Sequence, residues 1–286
     1  MSPYNDNHVW ITMDEFETLS GQNQNVFFSP SGGVSGSWIG VNNGLPKVPA
    51  SKIVFDESSN NRLFLATDQG LFVKEGTLDW EIYMEGLPNV NLMDIDIDYC
   101  REKIYVATWG RSIWVADLVP PSSPAVHTVN GTVSSPEEWN FDRTMAQDVV
   151  VPAGRRLIIT DGAVINFAKG KGIAVEQGGR LDVVGATVSN LCGEEWAGIQ
   201  VKGHKNTAHP GSLSGVLAGT YPSSPSHHGV VYLENAVIEQ ATVGVAAAYK
   251  TISLANGGII YAKNTTFREN GTSVLYKPYG FENLGT

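Results

Sequence analysis

The sequence contains no long apolar run and few basic residues. No apolar stretch approaches the roughly 18 to 20 residues that cross a bilayer as a helix, and residues 1–6 lack the basic and apolar regions of a secretory signal. The 29 Asp and Glu residues outnumber the 19 Lys and Arg residues, which form no basic cluster. Because phosphate binding needs clustered positive charge, we expect no nucleic acid partner and no membrane span.

Cysteine is almost absent, and the usual motifs of metal and cofactor sites are missing. Cys100 and Cys192 lie in parts of the chain with different repeat patterns, so a disulfide between them is disfavoured. The sequence has no glycine-rich phosphate loop, nucleophile elbow or cysteine-based metal motif. The chain is therefore predicted to hold no cofactor and no metal ion.

Two groups of residues have metal-binding chemistry but unsuitable spacing. Asp94, Asp96 and Asp98 alternate along a predicted strand and lack the glycine and glutamate of a calcium-binding loop. Asp98 is therefore interpreted as the residue that opens a turn. Four histidines lack the closely spaced cysteine or carboxylate partners that are usual at zinc, and we interpret them as solvated loop side chains: His204, His209, His227 and His228.

Within residues 1–118, a pattern of short β-rich segments repeats about every 42 positions. Trp38 recurs as Trp80, and Asp56 recurs as Asp98. Short strands between turn-forming residues predict antiparallel sheets, and a unit of about 40 to 45 residues with four strands has the size of a propeller blade. Since a closed ring needs about four to eight blades, the predicted two and a half or so form a partial β-propeller.

The repeat type changes after the Pro- and Ser-rich residues 119–138, which are predicted to be a linker. In residues 139–286, segment 229–240 aligns with segment 258–269 at an offset of 29, and segment 179–190 is an earlier copy. A fixed strand-turn-strand core with insertions of variable length is typical of stacked coils. We expect an all-β chain in which the partial propeller is followed by a right-handed parallel β-helix.

Side-chain alternation assigns a face to each residue of these strands. Three residues are expected to stack inward: Leu181, Val231 and Ile260. On the outer face, Glu234 is expected beside Lys263, and Glu239 beside Arg268, as ion pairs on neighbouring strands. One shared turn position with positive φ is expected at Gly185, Asn235 and Asn264.

Candidate ligand-binding residues lie on the outer face and beside a predicted loop. One outward column contains Asp182, Tyr232 and Tyr261, whose two tyrosines could stack on sugar rings, and Glu234 and Glu239 occupy neighbouring columns. Residues 204–228, rich in Pro, Gly and Ser, are predicted to leave the helix as a loop, where binding function concentrates. Both glutamates are also interpreted as structural ladder pairs, because each is matched with a base, so no catalytic residue is predicted.

Two parts of the sequence resemble known surface proteins. Residues 106–115, VATWGRSIWV, resemble the ATxGRGxWV blade ending of sortilin-like and BNR (sialidase-type) propellers in large exported proteins of Bacteroidetes, although Trp109 replaces the usual His or Tyr and Ser112 replaces Gly. Residues 149–154, 175–181 and 192–201 resemble β-helix segments of cell-surface proteins exported by the type IX secretion route. The resemblance implies a fragment of a larger protein, with a sorting domain beyond Thr286.

The expected function is that of a non-catalytic scaffold, adhesion or glycan-binding segment at the outer-membrane surface or outside the cell. Its expected partners are polysaccharide or surface glycan and, at both ends, the remainder of the parent protein. The alternative is a fragment of a polysaccharide-degrading glycoside hydrolase or lyase, since parallel β-helices also host such enzymes. The sequence leaves both open.

Overall fold

The computed structural model describes residues 7–15, 24–83, 86–122, 124–204, 207–247 and 257–275. It confirms the all-β prediction, because nearly all regular structure in these residues is strand. The chain divides into two compact units, Met1–Ala125 and Val126–Thr286, each described separately below.

The first unit consists of three antiparallel sheets whose strands follow chain order. The first sheet contains β1 (Val9–Thr12), β2 (Val26–Ser29) and β3 (Ile39–Gly40). The second contains β4 (Ala50–Phe55), β5 (Arg62–Thr67), β6 (Gly70–Glu75) and β7 (Glu81–Tyr83). The third contains β8 (Leu92–Asp98), β9 (Lys103–Thr108) and β10 (Ile113–Asp117).

Strand β5 lies in the middle of this unit and is buried along its whole length. Its Leu65 packs in one apolar cluster with Val26 of the first sheet, whereas its Phe64 packs in a second cluster with Leu92 of the third sheet. Successive side chains of a strand point to opposite faces, so a continuous apolar run serves two cores at once. The second sheet is therefore packed on both faces.

The repeated aspartates Asp56 and Asp98 perform the same task 42 positions apart. The backbone N–H of Ser58 donates to Asp56 Oδ1 at 2.9 Å, and the N–H of Cys100 donates to Asp98 Oδ1 at the same distance. Each carboxylate thereby closes the turn that follows its strand. The interpretation of Asp98 as a turn-opening residue is confirmed.

The second unit consists of three parallel sheets. The first parallel sheet contains β11 (Val126–Thr128), β14 (Asp148–Val151), β17 (Gly172–Val175), β20 (Trp196–Val201), β23 (Ala241–Ala246) and β26 (Thr272–Leu275). The second contains β12 (Glu137–Trp139), β15 (Arg156–Ile159), β18 (Arg180–Val184), β21 (Val230–Glu234) and β24 (Ile259–Lys263). The third contains β13 (Arg143–Met145), β16 (Val164–Phe167), β19 (Thr187–Asn190), β22 (Val237–Glu239) and β25 (Thr266–Arg268).

Each parallel sheet takes every third strand of the chain, so consecutive strands pass to each sheet in turn. Inward side chains from all three sheets enter one apolar cluster, as shown by Val149 of the first sheet, Leu157 of the second and Ile165 of the third. Burial of this shared core is the main stabilising term available to strands that are only three to six residues long.

The predicted register of the second unit is confirmed. Leu181 pairs with Val231, and Val231 pairs with Ile260, on the core side. The turn position expected to have positive φ has values of 61°, 51° and 51° at Gly185, Asn235 and Asn264. The Asn264 side-chain amide also donates to Asn235 Oδ1 at 3.4 Å.

The parallel sheets begin earlier in the chain than the sequence predicts. Strands β11 and β12 lie in or overlap the predicted linker, residues 119–138, and pair with β14 and β15. Before them, Ala125 still donates its backbone N–H to the Ser58 carbonyl of the first unit. The boundary between the two units therefore falls between Ala125 and Val126, within the predicted linker.

Two further findings concern cysteine and helix content. Cys100 and Cys192 are both disulfide-bonded, although the sequence disfavoured a disulfide between them. In the described part of the chain, no helix has the length and apolarity needed to cross a membrane. The one helix described there, α1 (Ser214–Leu217), belongs to the predicted loop 204–228, whose described residues contain no strand.

Substituting Gly198 with Ala is expected to destabilise the second unit by about 3 kcal/mol or more. Gly198 has a φ of +94°, and a Cβ there would lie 1.6 Å from the Val243 carbonyl oxygen on the next strand. Urea unfolding of the full chain measures the change. Gly211→Ala is the control, because that Cβ meets nothing within 4 Å; equal destabilisation by both variants would contradict the steric account.

Candidate ligand-binding site

Three of the four predicted ligand-binding residues lie on the outer face of the second parallel sheet. Tyr232 pairs with Tyr261 across β21 and β24, and Glu234 pairs with Lys263 two positions later. Their neighbours Val231 and Leu233 are fully buried in the core. Alternation along β21 thus sends the tyrosine and the glutamate outward together.

Glu239 lies elsewhere. It belongs to β22 in the third parallel sheet, where it pairs with Arg268 of β25 and accepts a hydrogen bond from that guanidinium. The structure therefore brings together Tyr232, Tyr261 and Glu234 on one sheet and places Glu239 on another. Both predicted ion pairs are confirmed.

The two tyrosine rings are stacked, with centroids 5.0 Å apart and planes 10° apart. On its other side, Tyr232 faces the Arg180 guanidinium, whose Cζ lies 5.5 Å from the ring centroid. Tyr232 is thus held between a cation and an aromatic ring, an arrangement that both kinds of contact favour. Within the described residues, the ring of Tyr261 stacks on Tyr232, and Tyr261 is half-buried against Val216 and Val230.

Glu234 is occupied by two hydrogen bonds. It accepts the Tyr232 hydroxyl at 2.5 Å on Oε2 and Lys263 Nζ at 2.6 Å on Oε1. The bond from Lys263, followed by the bond from Tyr232, lowers the pKa of Glu234 below its ordinary value. The same carboxylate raises the pKa of Tyr232 to about 12. At neutral pH the pair therefore consists of a carboxylate and a neutral phenol.

Next to the tyrosines lies a buried ionic cluster that the sequence pattern did not reveal as a site. Asp182, which pairs in register with Tyr232, accepts Arg180 Nε at 3.0 Å and Arg156 Nε at 2.6 Å on Oδ2. Its Oδ1 lies 2.7 Å from Arg180 Nη2. Asp182 and Arg180 are each only 2% exposed. The alignment of Arg156 with Arg180 at an offset of 24 was the signal that could have located the cluster.

The loop between β20 and β21 covers this cluster. Arg180 Nη1 donates to the Tyr221 carbonyl at 2.8 Å, and Val216 of α1 is fully buried in a small apolar cluster with Val230, Tyr232 and Tyr261. The loop therefore folds back onto the outer face of the sheet. This cover explains why Asp182, an outward residue, is buried.

A cavity of about 170 Å³ remains between the loop and the sheet. Arg156, Arg180 and Asp182 form its polar side, Tyr232 forms one wall, and Gly219 of the loop closes it. Gly219 has a φ of +73°, and a Cβ there would lie 3.2 Å from both terminal nitrogens of Arg156. A small residue at this point of the loop is what leaves room for the guanidinium.

The loop histidines are not all solvated, contrary to the prediction. His228 is fully buried and stacks on His209, with centroids 4.1 Å apart. Its Nδ1 accepts the backbone N–H of His204 at 3.1 Å, so its Nε2 carries the proton and donates to the Thr207 carbonyl at 2.9 Å. In the part of the chain that the structure describes, no group of three or more His, Cys, Asp or Glu residues is placed to hold a metal ion.

Asp182→Asn is expected to destabilise the protein by about 3 to 5 kcal/mol, because it leaves two arginines without their carboxylate in a buried site. Urea unfolding of the full chain measures the loss. Asp161→Asn is the matched control: Asp161 is exposed and has a positive φ of 57°, which Asn also adopts. A loss below about 1 kcal/mol in Asp182→Asn would show that solvent reaches the cluster.

Acidification is expected to weaken the packing of the loop around His228. Burial, followed by the charge of neighbouring His209, lowers the pKa of His228 below 6.5. Between that lowered pKa and 6.5, the unfolded chain binds more protons than the folded one, so the free energy of unfolding falls as the pH falls. Urea midpoints at several pH values between about 7.5 and 5 measure the effect, and an NMR titration gives the pKa directly.

His228→Gln supplies the comparison, since its amide can both accept from His204 and donate to Thr207 without titrating. This variant should lose part of the pH dependence over that range. His8→Gln in the first unit is the control and should keep it. A pKa of His228 at or above 6.5 would contradict the burial argument.

The geometry of this face provides a half-buried aromatic stack, an ionic cluster with two arginines and one carboxylate, and a small cavity between them. Such a combination suits a ligand with apolar ring faces and polar or charged substituents. Comparison of the chain with protein-family models, curated proteins and solved structures found no match in any of the three.

Proposed function

We propose that this chain is a non-catalytic glycan-binding segment of a larger surface protein, and that the outer face of the second parallel sheet binds the glycan. The observation that carries the proposal is the stacked pair Tyr232 and Tyr261 at the last described strand of that sheet. Sugar rings present apolar C–H faces that pack on aromatic rings. A sugar packed on the exposed part of Tyr261 would continue the stack.

The state of the carboxylates supports binding over catalysis. Glycoside hydrolysis uses two carboxyl groups that flank one bond, one of them an acid with a raised pKa. On this face, the hydrogen bonds from Lys263 and Tyr232 lower the pKa of Glu234, and Glu239 is bonded to Arg268 on another sheet. Neither glutamate has the environment of a general acid.

We further propose that the three parallel sheets are the walls of a right-handed parallel β-helix and that the antiparallel sheets are propeller blades. The rotation of strands among three sheets and their single shared core support the first assignment. The 42-residue spacing of Asp56 and Asp98, with one turn geometry at both, supports the second. The first and third antiparallel sheets, with three strands each, would be incomplete blades.

The proposal includes export. The resemblance of residues 106–115 to BNR-type propeller blades, and of residues 149–201 to β-helix segments of type IX secretion substrates, supports an origin in Bacteroidetes and a place at the outer-membrane surface or outside the cell. The remainder of the parent protein would continue at both ends.

Tyr261→Ala is expected to weaken glycan binding about tenfold, which corresponds to roughly 1.4 kcal/mol for a lost ring contact. Isothermal titration of the full chain against a panel of plant and microbial polysaccharides measures the change. The control is Phe141→Ala, an exposed aromatic residue of the same unit whose ring contacts Arg143. Equal weakening by both variants, or binding unchanged by Tyr261→Ala, would contradict the assignment.

The same panel tests for catalysis. Release of reducing sugars or unsaturated products that disappears in Glu234→Gln or Glu239→Gln would replace the binding proposal with the enzyme alternative. Absence of both binding and turnover across the panel would remove the glycan proposal altogether.

A further inference from the structure

The ionic cluster beside the tyrosines carries one positive charge more than its structural role requires. Arg156 and Arg180 share the single carboxylate of Asp182, and the nearby Glu234 is matched by Lys263. Arg180 alone completes the pair with Asp182, since its Nε and Nη2 reach the two carboxylate oxygens. Arg156 is the surplus cation.

Arg156 also has N–H donors that its bond to Asp182 does not use. In the described residues, its hydrogen bond to Asp182 uses Nε alone, whereas its terminal nitrogens lie beside Gly219 at the cavity wall. Its side chain is 20% exposed, so these N–H groups are accessible from the cavity. A guanidinium edge of this kind binds carboxylate or sulfate oxygens with two parallel hydrogen bonds.

The size of the cavity decides what can enter. At about 170 Å³ it is smaller than the roughly 300 to 1,000 Å³ typical of pockets that enclose a whole ligand. It suits one substituent of a longer chain whose neighbouring rings remain outside. The tyrosine stack begins at the cavity wall with Tyr232 and leads away from it to Tyr261.

We propose that this face recognises an anionic polysaccharide, with the carboxylate or sulfate of one sugar bound by Arg156 in the cavity and a neighbouring sugar stacked on Tyr261. The inference rests on the proposed glycan-binding function and adds the charge of the ligand. A polymer bound in this way crosses the strands, because Asp182, Tyr232 and Tyr261 follow one another across three adjacent strands.

The test compares matched ligands on the full chain by isothermal titration: polygalacturonate, its methyl ester, a sulfated glycosaminoglycan and a neutral glucan. Wild type is expected to prefer at least one anionic polymer over the neutral ones by about tenfold to hundredfold. Binding to both carboxylated and sulfated polymers identifies a general anion site, and binding to one of them identifies the anion. No preference for either would overturn the inference while leaving neutral glycan binding intact.

Arg156→Gln assigns the preference to the cavity. It removes the surplus charge while Asp182 keeps Arg180, so it should abolish the preference for anionic over neutral polymers. Arg155→Gln removes the same charge from the adjacent residue, which bonds to the Asn130 carbonyl, and should keep the preference. Arg156→Lys keeps the positive charge but loses the two parallel N–H donors of the guanidinium, so it should retain part of the anionic preference.

An unchanged preference in Arg156→Gln, or equal loss in Arg155→Gln, would overturn the assignment to Arg156. A urea midpoint for each variant shows that it is folded. Failure of wild type to bind any of the four polymers would reject the glycan function itself, an outcome distinct from binding without charge preference.

Discussion

In-register parallel pairing is the constraint on which the second unit depends. Each strand pairs with the strand three strands earlier, so a residue inside a sheet contacts its equivalents on both neighbouring strands. The shared core requires that every inward position be apolar, and Leu181, Val231 and Ile260 satisfy that requirement in a single column. A register shift of one residue would expose every inward side chain and bury every outward one, so the register is strongly fixed.

The same constraint creates columns on the outer face, where no core dictates the residue type. There it places Glu234 beside Lys263, Glu239 beside Arg268 and Tyr232 against Tyr261. Each such cross-strand contact stabilises the sheet only slightly. The outer columns are thus free to carry a binding surface at little cost to folding.

The strands that were predicted correctly from the sequence are those whose residue pattern repeats along the chain. The offset of 29 residues aligned β21 with β24 and β22 with β25 in the register that the structure shows. The first strands of the second unit escaped prediction because β11 and β12 have three residues each, with a polar His127 or Glu138 at the centre. Such short segments acquire their strand conformation by pairing with β14 and β15, and their own composition gives no periodic signal.

The sequence predicted the site residues that lie in the outward columns of the sheet. It did not predict the burial of the residues that the loop between β20 and β21 covers. Alternation correctly placed Tyr232 and Glu234 outward, but it also made Asp182 an exposed residue. Its burial, like that of His228, follows from how residues 207–228 fold back onto the sheet. That path depends on single contacts such as Arg180 to the Tyr221 carbonyl, and nothing in the sequence repeats them.

Of the three charged residues under the loop, two form a structural ion pair, and the third is the one proposed to bind a ligand. Arg180 lies within ion-pair distance of both carboxylate oxygens of Asp182, so the two residues would form a neutral pair without Arg156. Burying an additional cation opposes folding, because the ion loses part of its hydration without a second carboxylate in return. Arg156 avoids most of this penalty by remaining partly exposed at a cavity that Gly219 leaves open. An anion entering that cavity would supply the counter-charge that the fold itself leaves out.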